Sequence, residues 1–379
     1  MSEEIGKIIR KRREALNLSQ DELIKLAGFD WERQTLGQIE NGSREIKAWE
    51  LAKVSGALKG SLIDFFPNSG NQSTEEKRVL WREKPANHLI AEAEFLRLCK
   101  DYKLVEEFNK VDSTKFSELA KVEIDFNKFS YSDAYSLADK FRSELSLGDF
   151  PTSTLVKTLE ERFGVKFFFN DLDGNGSAAT SVSELGNCIL VSSKEPPWRQ
   201  FFSIAHELFH IVTWSQGLVD QVLSSKELWD KNEKFANAFA QGLLIPSDTL
   251  NRELARVVVD NKIGNAELVG LATQFGVSVE ALLFRMRFLG KFTQETVDIL
   301  LKSRELKSIS YASRPVDKQS ENLLSVRFVR LAYIAFEKGE ITKSRLSKML
   351  NSTLSGLSKT LEKYGLFEVG NNEIALNNP

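Results

Sequence analysis

Apolar residues recur at helical spacing along most of this chain, and strand-like alternation is confined to one short region. In "IGKIIRKRREAL", Ile5, Ile8, Ile9 and Leu16 stand at helical spacing. "NLSQDELIKLAG" follows, with Ser19 placed to cap a helix and Glu22 three residues on, the pattern of a capping box. Gly28 then fits a C-cap. "FPNSGNQSTEE", residues 66–76, has no apolar period and reads as a linker. Residues 77–130 read as helical but less regular, and Pro85 interrupts them. "DAYSLADKFRSELSLG" and "TSTLVKTLEERFG" predict amphipathic helices ending at Gly148 and Gly164. "VKFFFNDL" and "NCILVSS" predict short strands, with the glycine- and serine-rich "DLDGNGSAATSVSELG" between them as a loop. Long helices are expected around 199–214 and 231–244, and again over 264–290. After a second linker at 313–322, "SRPVDKQSEN", comes a basic segment of two or three helices and a short hairpin. The fold class is therefore mainly α with a small β-sheet (α+β). The expected divisions are a helical domain over 1–68, a helical linker region over 69–132, a mixed domain over 133–290 and a helical C-terminal region over 291–379.

Composition narrows the function without naming it. With 42% hydrophobic and 27% charged residues, the chain is an ordinary globular one. A net charge of −2 excludes a general polycation, so nucleic-acid binding would need a local patch. The two cysteines, Cys99 and Cys188, are far apart, which excludes a disulfide framework and fits a reducing compartment. "MSEEIGKIIRKRRE" lacks the apolar core of a signal peptide, and no apolar run approaches the roughly 18 residues of a membrane span. A cytoplasmic protein without membrane contact is expected.

Two of the three histidines stand in "FFSIAHELFHIVTW" as His206 and His210, with Glu207 beside the first: the pattern H-E-x-x-H. Four residues apart on a helix, both imidazoles leave the same face and can grip one metal ion. The bland alternative is a pair of core histidines satisfied by backbone. It leaves Glu207 as a charge on an otherwise apolar helix, which is costly to bury without a partner. A catalytic site of this kind needs a third protein ligand. "NEKFANAFAQGLLIP" offers Glu233, 23 residues after His210, with Asn237 on the same helical face.

"RQFFSIAHELFHIV" followed by "EKFANAFAQGLLIP" resembles the ImmA/IrrE family of metallopeptidases. Arg199, Phe202, His206, Glu207, His210, Glu233, Ala236, Asn237, Phe239, Ala240, Leu243, Leu244 and Pro246 carry the resemblance, which covers about 133–290. It implies a zincin-like domain in which His206, His210 and Glu233 bind Zn2+ (one per chain, with Mn2+ as the alternative) and Glu207 is catalytic. Phe209 stands where the family often has glycine. Asn237 and Arg199 are candidate supporting residues. With no tyrosine between 136 and 310, Arg199 is either an oxyanion helper or a salt-bridge residue at the helix start.

"LSQDELIKLAGFDWERQTLGQIENGSREI" resembles the XRE (Cro/C1-type) helix-turn-helix through Leu18, Ser19, Gln20, Leu23, Ala27, Ile39, Glu40, Asn41 and Gly42, with Arg10 and Arg13 on the preceding helix. Helix two is expected over about 19–27 and the recognition helix over about 31–40. Leu36 and Ile39 then face the core, and Arg33, Gln34, Thr35 and Gln38 are candidates for base edges in the major groove. Gln20, Arg10 and Arg13, with Lys7, Lys11 and Arg12, are candidates for backbone phosphate. Exposed Glu32 and Glu40 would oppose it.

Two functions compete. One is a DNA-binding transcriptional regulator with a zinc endopeptidase that cleaves a repressor or another protein partner. The other is a DNA-binding transcription factor whose metal domain is a non-catalytic sensor or an antitoxin-like interaction module. The expected partners are double-stranded operator DNA and a protein substrate. Residues 291–379 read as a packing or homodimerisation element whose layout is similar to a winged helix.

Overall fold

The computed structural model describes residues 2–16, 18–58, 65, 79–81, 88–172, 177–313 and 324–366. Four helices come first: α1 (Ser2–Ala15), α2 (Gln20–Leu26), α3 (Arg33–Glu40) and α4 (Ala48–Ala57). They enclose a core of Ile5, Ile9, Leu23, Leu36, Ile39, Leu51, Val54, Leu58 and Phe65. The capping box forms as read: Ser19 Oγ accepts from the Glu22 amide at 3.2 Å, and the Ser19 amide donates to Glu22 Oε2 at 2.7 Å. The recognition helix begins at Arg33, two residues later than expected, because Glu32 is extended as its N-cap and Trp31 stacks on Phe29 at 3.8 Å between centroids.

The remaining elements are β1 (Val79–Trp81), α5 (His88–Phe108), α6 (Tyr131–Glu144), α7 (Leu155–Phe163), β2 (Lys166–Asn170), β3 (Ala178–Ser183), β4 (Gly186–Ser192), α8 (Pro197–Thr213), α9 (Gln216–Ser224), α10 (Lys226–Leu244), α11 (Ser247–Val257), α12 (Asn265–Phe275), α13 (Val279–Phe288), α14 (Gln294–Lys302), α15 (Arg304–Ala312), α16 (Val326–Glu337), α17 (Lys343–Met349) and α18 (Leu357–Glu362). Two compact units result. One holds α1–α4 and α5 as far as Lys100; the other holds β1 and the elements from Asp101 onward.

In the second unit the sheet order is β1-β3-β4-β2. β2 and β4 run parallel, while β3 is antiparallel to both β4 and β1. α8 lies against β3 and β4, and α10 packs between α6 and α8. The core between these layers is rich in aromatic residues, among them Phe141, Phe167, Phe209, Phe235, Phe239 and Phe275. Cys188 is fully buried in β4, and neither it nor Cys99 forms a disulfide.

β3 corrects the sequence reading, which made this stretch a loop. Ala178, Ala179, Thr180 and Ser181 are all buried, so the strand shows no apolar–polar alternation. Their small size lets α8 lie close. α9 was also not foreseen, and α10 starts at Lys226 instead of about 231. The linkers read at 66–76 and, after Ser313, at 313–322, and the hairpin read near the C-terminus, lie outside the described residues. The C-terminal helices are tied to the sheet region by partly buried charge pairs. Glu106 of α5 accepts from Arg327 of α16 at 2.8 Å and pairs with Lys166 of β2 at 2.7 Å. Leu324 forms an antiparallel bridge with Phe168. No single helix among the described residues is long and apolar enough to cross a membrane.

The α6–α10 crossing depends on Gly242. A Cβ there would stand 2.8 Å from Ala138 Cβ and 2.9 Å from Tyr135 Cδ1. Gly242→Val is expected to destabilise the fold by about 1–3 kcal/mol through overpacking. Gly270 of α12, with nothing within 4 Å of its Cβ position, supplies the control. Gly270→Ala is expected to stabilise by about 0.5–1 kcal/mol through helix propensity. Thermal unfolding of the two variants should therefore move in opposite directions.

Candidate functional site

Pro197 starts α8 at a helix position that needs no amide donor, and Gln200 Nε2 donates to the Ser192 carbonyl at 3.0 Å, which fixes the helix to β4. From Ser203 to Thr213 every α8 residue is buried. His206 and His210 therefore lie in the interior, 0% and 4% exposed. On α10, Glu233 and Asn237 face them one turn apart. His206 Nε2 is 3.1 Å from His210 Nε2 and 3.0 Å from Glu233 Oε2, and His210 Nε2 is 3.3 Å from Glu233 Oε1.

This donor set fits a divalent metal ion. Ligand atoms about 2.0–2.1 Å from one tetrahedral ion stand about 3.3 Å from each other, close to the separations found. Glu233 Oε1 is buried, with His210 Nε2 3.3 Å away. Burial alone would raise the Glu233 pKa, but the charge and hydrogen bonds of His206 and then His210 outweigh it and hold the carboxyl well below its usual range.

The ring orientations agree. His206 Nδ1 lies 3.0 Å from Asn237 Oδ1, an acceptor, so Nδ1 carries the proton and Nε2 presents its lone pair to the cluster. His210 Nδ1 lies 3.3 Å from Asn232 Nδ2, while Asn232 Oδ1 is buried without a hydrogen bond. The two ends of an amide are nearly the same shape. Turned end for end, Asn232 would accept from Nδ1–H and give His210 the same tautomer.

Glu207 of α8 reaches β3 of the sheet. It is fully buried, and Thr180 Oγ1 of β3 donates to its Oε2 at 2.6 Å. Sequence reasoning missed Thr180, because its strand had been read as a loop and nothing local links residues 27 apart. It also missed Asn232, which directly precedes Glu233. Arg199 sits at the helix start with its Nε 2.8 Å from Glu195 Oε1, the salt-bridge arrangement. Arg199 and Asn237, with Trp198, Phe202, Gln241 and Tyr311, line a cavity of about 730 Å³.

In the first unit, Arg33, Gln34 and Gln38 of α3 are exposed and Thr35 is half-buried, with Leu36 and Ile39 inward as the spacing required. Arg10 is exposed and pairs with Glu14 at 2.9 Å. Arg13 departs from its expected place. It is 8% exposed, with Nε 2.5 Å from Glu40 Oε1 and Nη2 3.0 Å from Glu40 Oε2. Gln20 Nε2 donates to the same carboxylate at 2.8 Å, and Arg33 Nε donates to Gln20 Oε1 at 3.2 Å. Glu40 is thus buried, and the repulsion expected of it is absent. Arg13 and Gln20 are engaged inside the domain, on the wall of a cleft of about 390 Å³.

Residues 9–65 match the family described as "Helix-turn-helix", and residues 160–287 match the one described as "IrrE N-terminal-like domain". The chain is a fusion of these two families. The IrrE-like match runs from α7 to α13 and includes Thr180, Glu207 and the whole His206–His210–Glu233 cluster. Helix-turn-helix and IrrE-like metallopeptidase-type domains on one chain give the architecture of a transcriptional regulator. No curated protein matches the chain. Among solved structures, a Mycobacterium tuberculosis transcriptional regulator is similar at 19% identity and a TM-score of 0.33, over 49% of this chain and 52% of that one. The chain therefore spans about half the length of that regulator. A bacterial peptide pheromone/receptor complex is similar at 12% identity and a TM-score of 0.16, over 96% and 99%. Neither likeness bears on the site.

The Arg13–Glu40 pair gives a direct prediction for the helix-turn-helix domain of this fusion. Glu40→Ala leaves a buried guanidinium without its carboxylate and is expected to cost about 3 kcal/mol. Replacing both residues together, Arg13→Met with Glu40→Leu, should recover most of that loss. Hydrogen exchange of the α1 and α3 amides in the full chain measures both.

Proposed function

We propose that the fusion is a DNA-binding transcriptional regulator whose IrrE-like domain is a zinc-dependent endopeptidase that cleaves a repressor or another protein partner. One observation carries this reading. Glu207, a carboxylate that is not needed as a ligand, is buried beside a three-ligand cluster and fixed by a strand hydroxyl. A structural metal site has no use for it.

His206, His210 and Glu233 would hold the ion: zinc, one per chain, with manganese as the alternative. Bound there, zinc supplies Lewis-acid polarisation of a peptide carbonyl and acidifies a water molecule. The protein's own residues do the rest. Glu207 accepts the proton of the attacking water and passes it to the departing amine. The Thr180 hydroxyl holds Oε2, so the carboxylate keeps one orientation through both transfers. Asn237 holds the His206 ring in its ligating tautomer. The dry surroundings strengthen each of these interactions.

Purified protein is expected to carry about one zinc per chain, and His206→Ala combined with Glu233→Ala to lose it, as metal analysis will read. Glu207→Gln should keep metal and fold yet abolish cleavage of a protein substrate. If Glu207→Gln behaves as wild type in the cell while His206→Ala does not, the domain is a sensor and the peptidase reading is wrong.

For DNA, Arg33, Gln34, Thr35 and Gln38 form the reading face in this proposal, and Arg10 meets phosphate. Gln34→Ala should relax base preference at one position by about 1–3 kcal/mol, whereas Arg10→Ala should weaken binding to all sequences alike. Competition binding at several salt concentrations distinguishes the two effects.

A further inference from the structure

The IrrE-like match contains three of the four strands, β2, β3 and β4. Taken alone, that domain would leave the outer edge of β3 bare. β1 covers it: Val79 pairs with Ser181, Leu80 with Thr180 and Trp81 with Ala179, all antiparallel. β1 belongs to neither family match. It comes from the chain between them, residues 66–159.

The covered position is the one that matters for chemistry. Thr180, directly opposite Leu80, is the residue whose hydroxyl holds Glu207. A bare edge offers a row of main-chain donors and acceptors to any extended peptide, and such pairing tolerates many side chains. An edge that also carries the support of a proton-accepting carboxylate is where an extended substrate would come to lie. In this chain that edge already has an occupant.

We propose that the β3 edge is the docking edge for an extended substrate and that Val79–Trp81 occupies it as an intramolecular competitor. The inference rests on the peptidase reading above. Tethering gives the competitor an effective concentration on the order of millimolar, so it excludes weak peptides. Among the described residues its pairing with β3 spans Val79–Trp81. A partner that removes residues 79–81 from β3 would then open the site without touching the metal ligands.

The test uses the full chain with residues 78–83 replaced by a glycine–serine stretch of equal length, and separately Leu80→Pro, each first checked for an unchanged melting temperature. Three measurements are made. Exchange of those amides of residues 179–181 that face β1 should speed up by about tenfold or more in both variants. Turnover of an unfolded protein such as casein by zinc-loaded protein should rise several-fold. A labelled peptide of residues 76–84 should bind the glycine–serine variant and not the wild type. Unchanged exchange at 179–181 in both variants overturns the claim that β1 protects this edge. Faster exchange with unchanged turnover overturns the claim that substrate docks there. Cleavage of the wild-type chain within 76–86, seen by mass spectrometry, overturns the competitor and makes the strand a substrate. If no variant or wild-type protein cleaves anything, the peptidase reading has failed. Binding of the labelled peptide then decides the docking edge: selective capture by the variant supports it, and no capture overturns it.

Discussion

Two carboxylates and two imidazoles are enclosed between α8, α10 and β3, and the second unit is organised around keeping them there. Neighbours hold four of these groups: Thr180 for Glu207, Asn237 and Asn232 for the two rings, and the rings themselves for Glu233. A buried carboxylate is tolerated only with such partners. The surrounding design follows from this. Small residues on β3 let α8 come close, Gly242 lets α10 come close to α6, and the aromatic core keeps water away.

Much of this was legible in the sequence because it is local. H-E-x-x-H states its own geometry once the segment is helical. The capping box of α2 lies within four residues, and it formed as read. Glu233 and Asn237 were legible one step further out, as the polar face of a second helix. Thr180 was not. Its strand carries Ala, Thr and Ser on faces that are both buried, so neither periodicity nor hydrophobicity marks it, and its partner is on another element. The Arg13–Glu40 pair was hidden for the same reason. Each residue looks like an exposed charge in its own helix, and only the packing of α1 on α3 makes them a buried pair.

Two further charge networks, one in each unit, have different consequences. The Arg13–Glu40–Gln20–Arg33 network runs from the buried Arg13–Glu40 pair of the small helical domain to the exposed Arg33 at the start of α3. The Lys166–Glu106–Arg327 network joins β2, α5 and α16, residues far apart in the chain. It ties the helices after the family match to the sheet within the second unit, and removing them would take Arg327 from Glu106 while leaving the Glu106–Lys166 pair.

α3 runs only from Arg33 to Glu40, eight residues. At about 1.5 Å per residue that is about 12 Å, and along B-DNA, at about 3.4 Å per base pair, it covers roughly four base pairs. A word of four base pairs recurs by chance about every 256 positions, which is far too often to specify one promoter among the roughly 10⁶ or more sites of a genome. One reading helix therefore supplies about eight bits of address. A second copy on a second half-site would raise that to about sixteen and the chance spacing to roughly 65,000 base pairs. Seen as an information channel under the proposed DNA reading, the length of this helix requires that specificity come from number, whether of copies, of half-sites or of other contacts along the DNA.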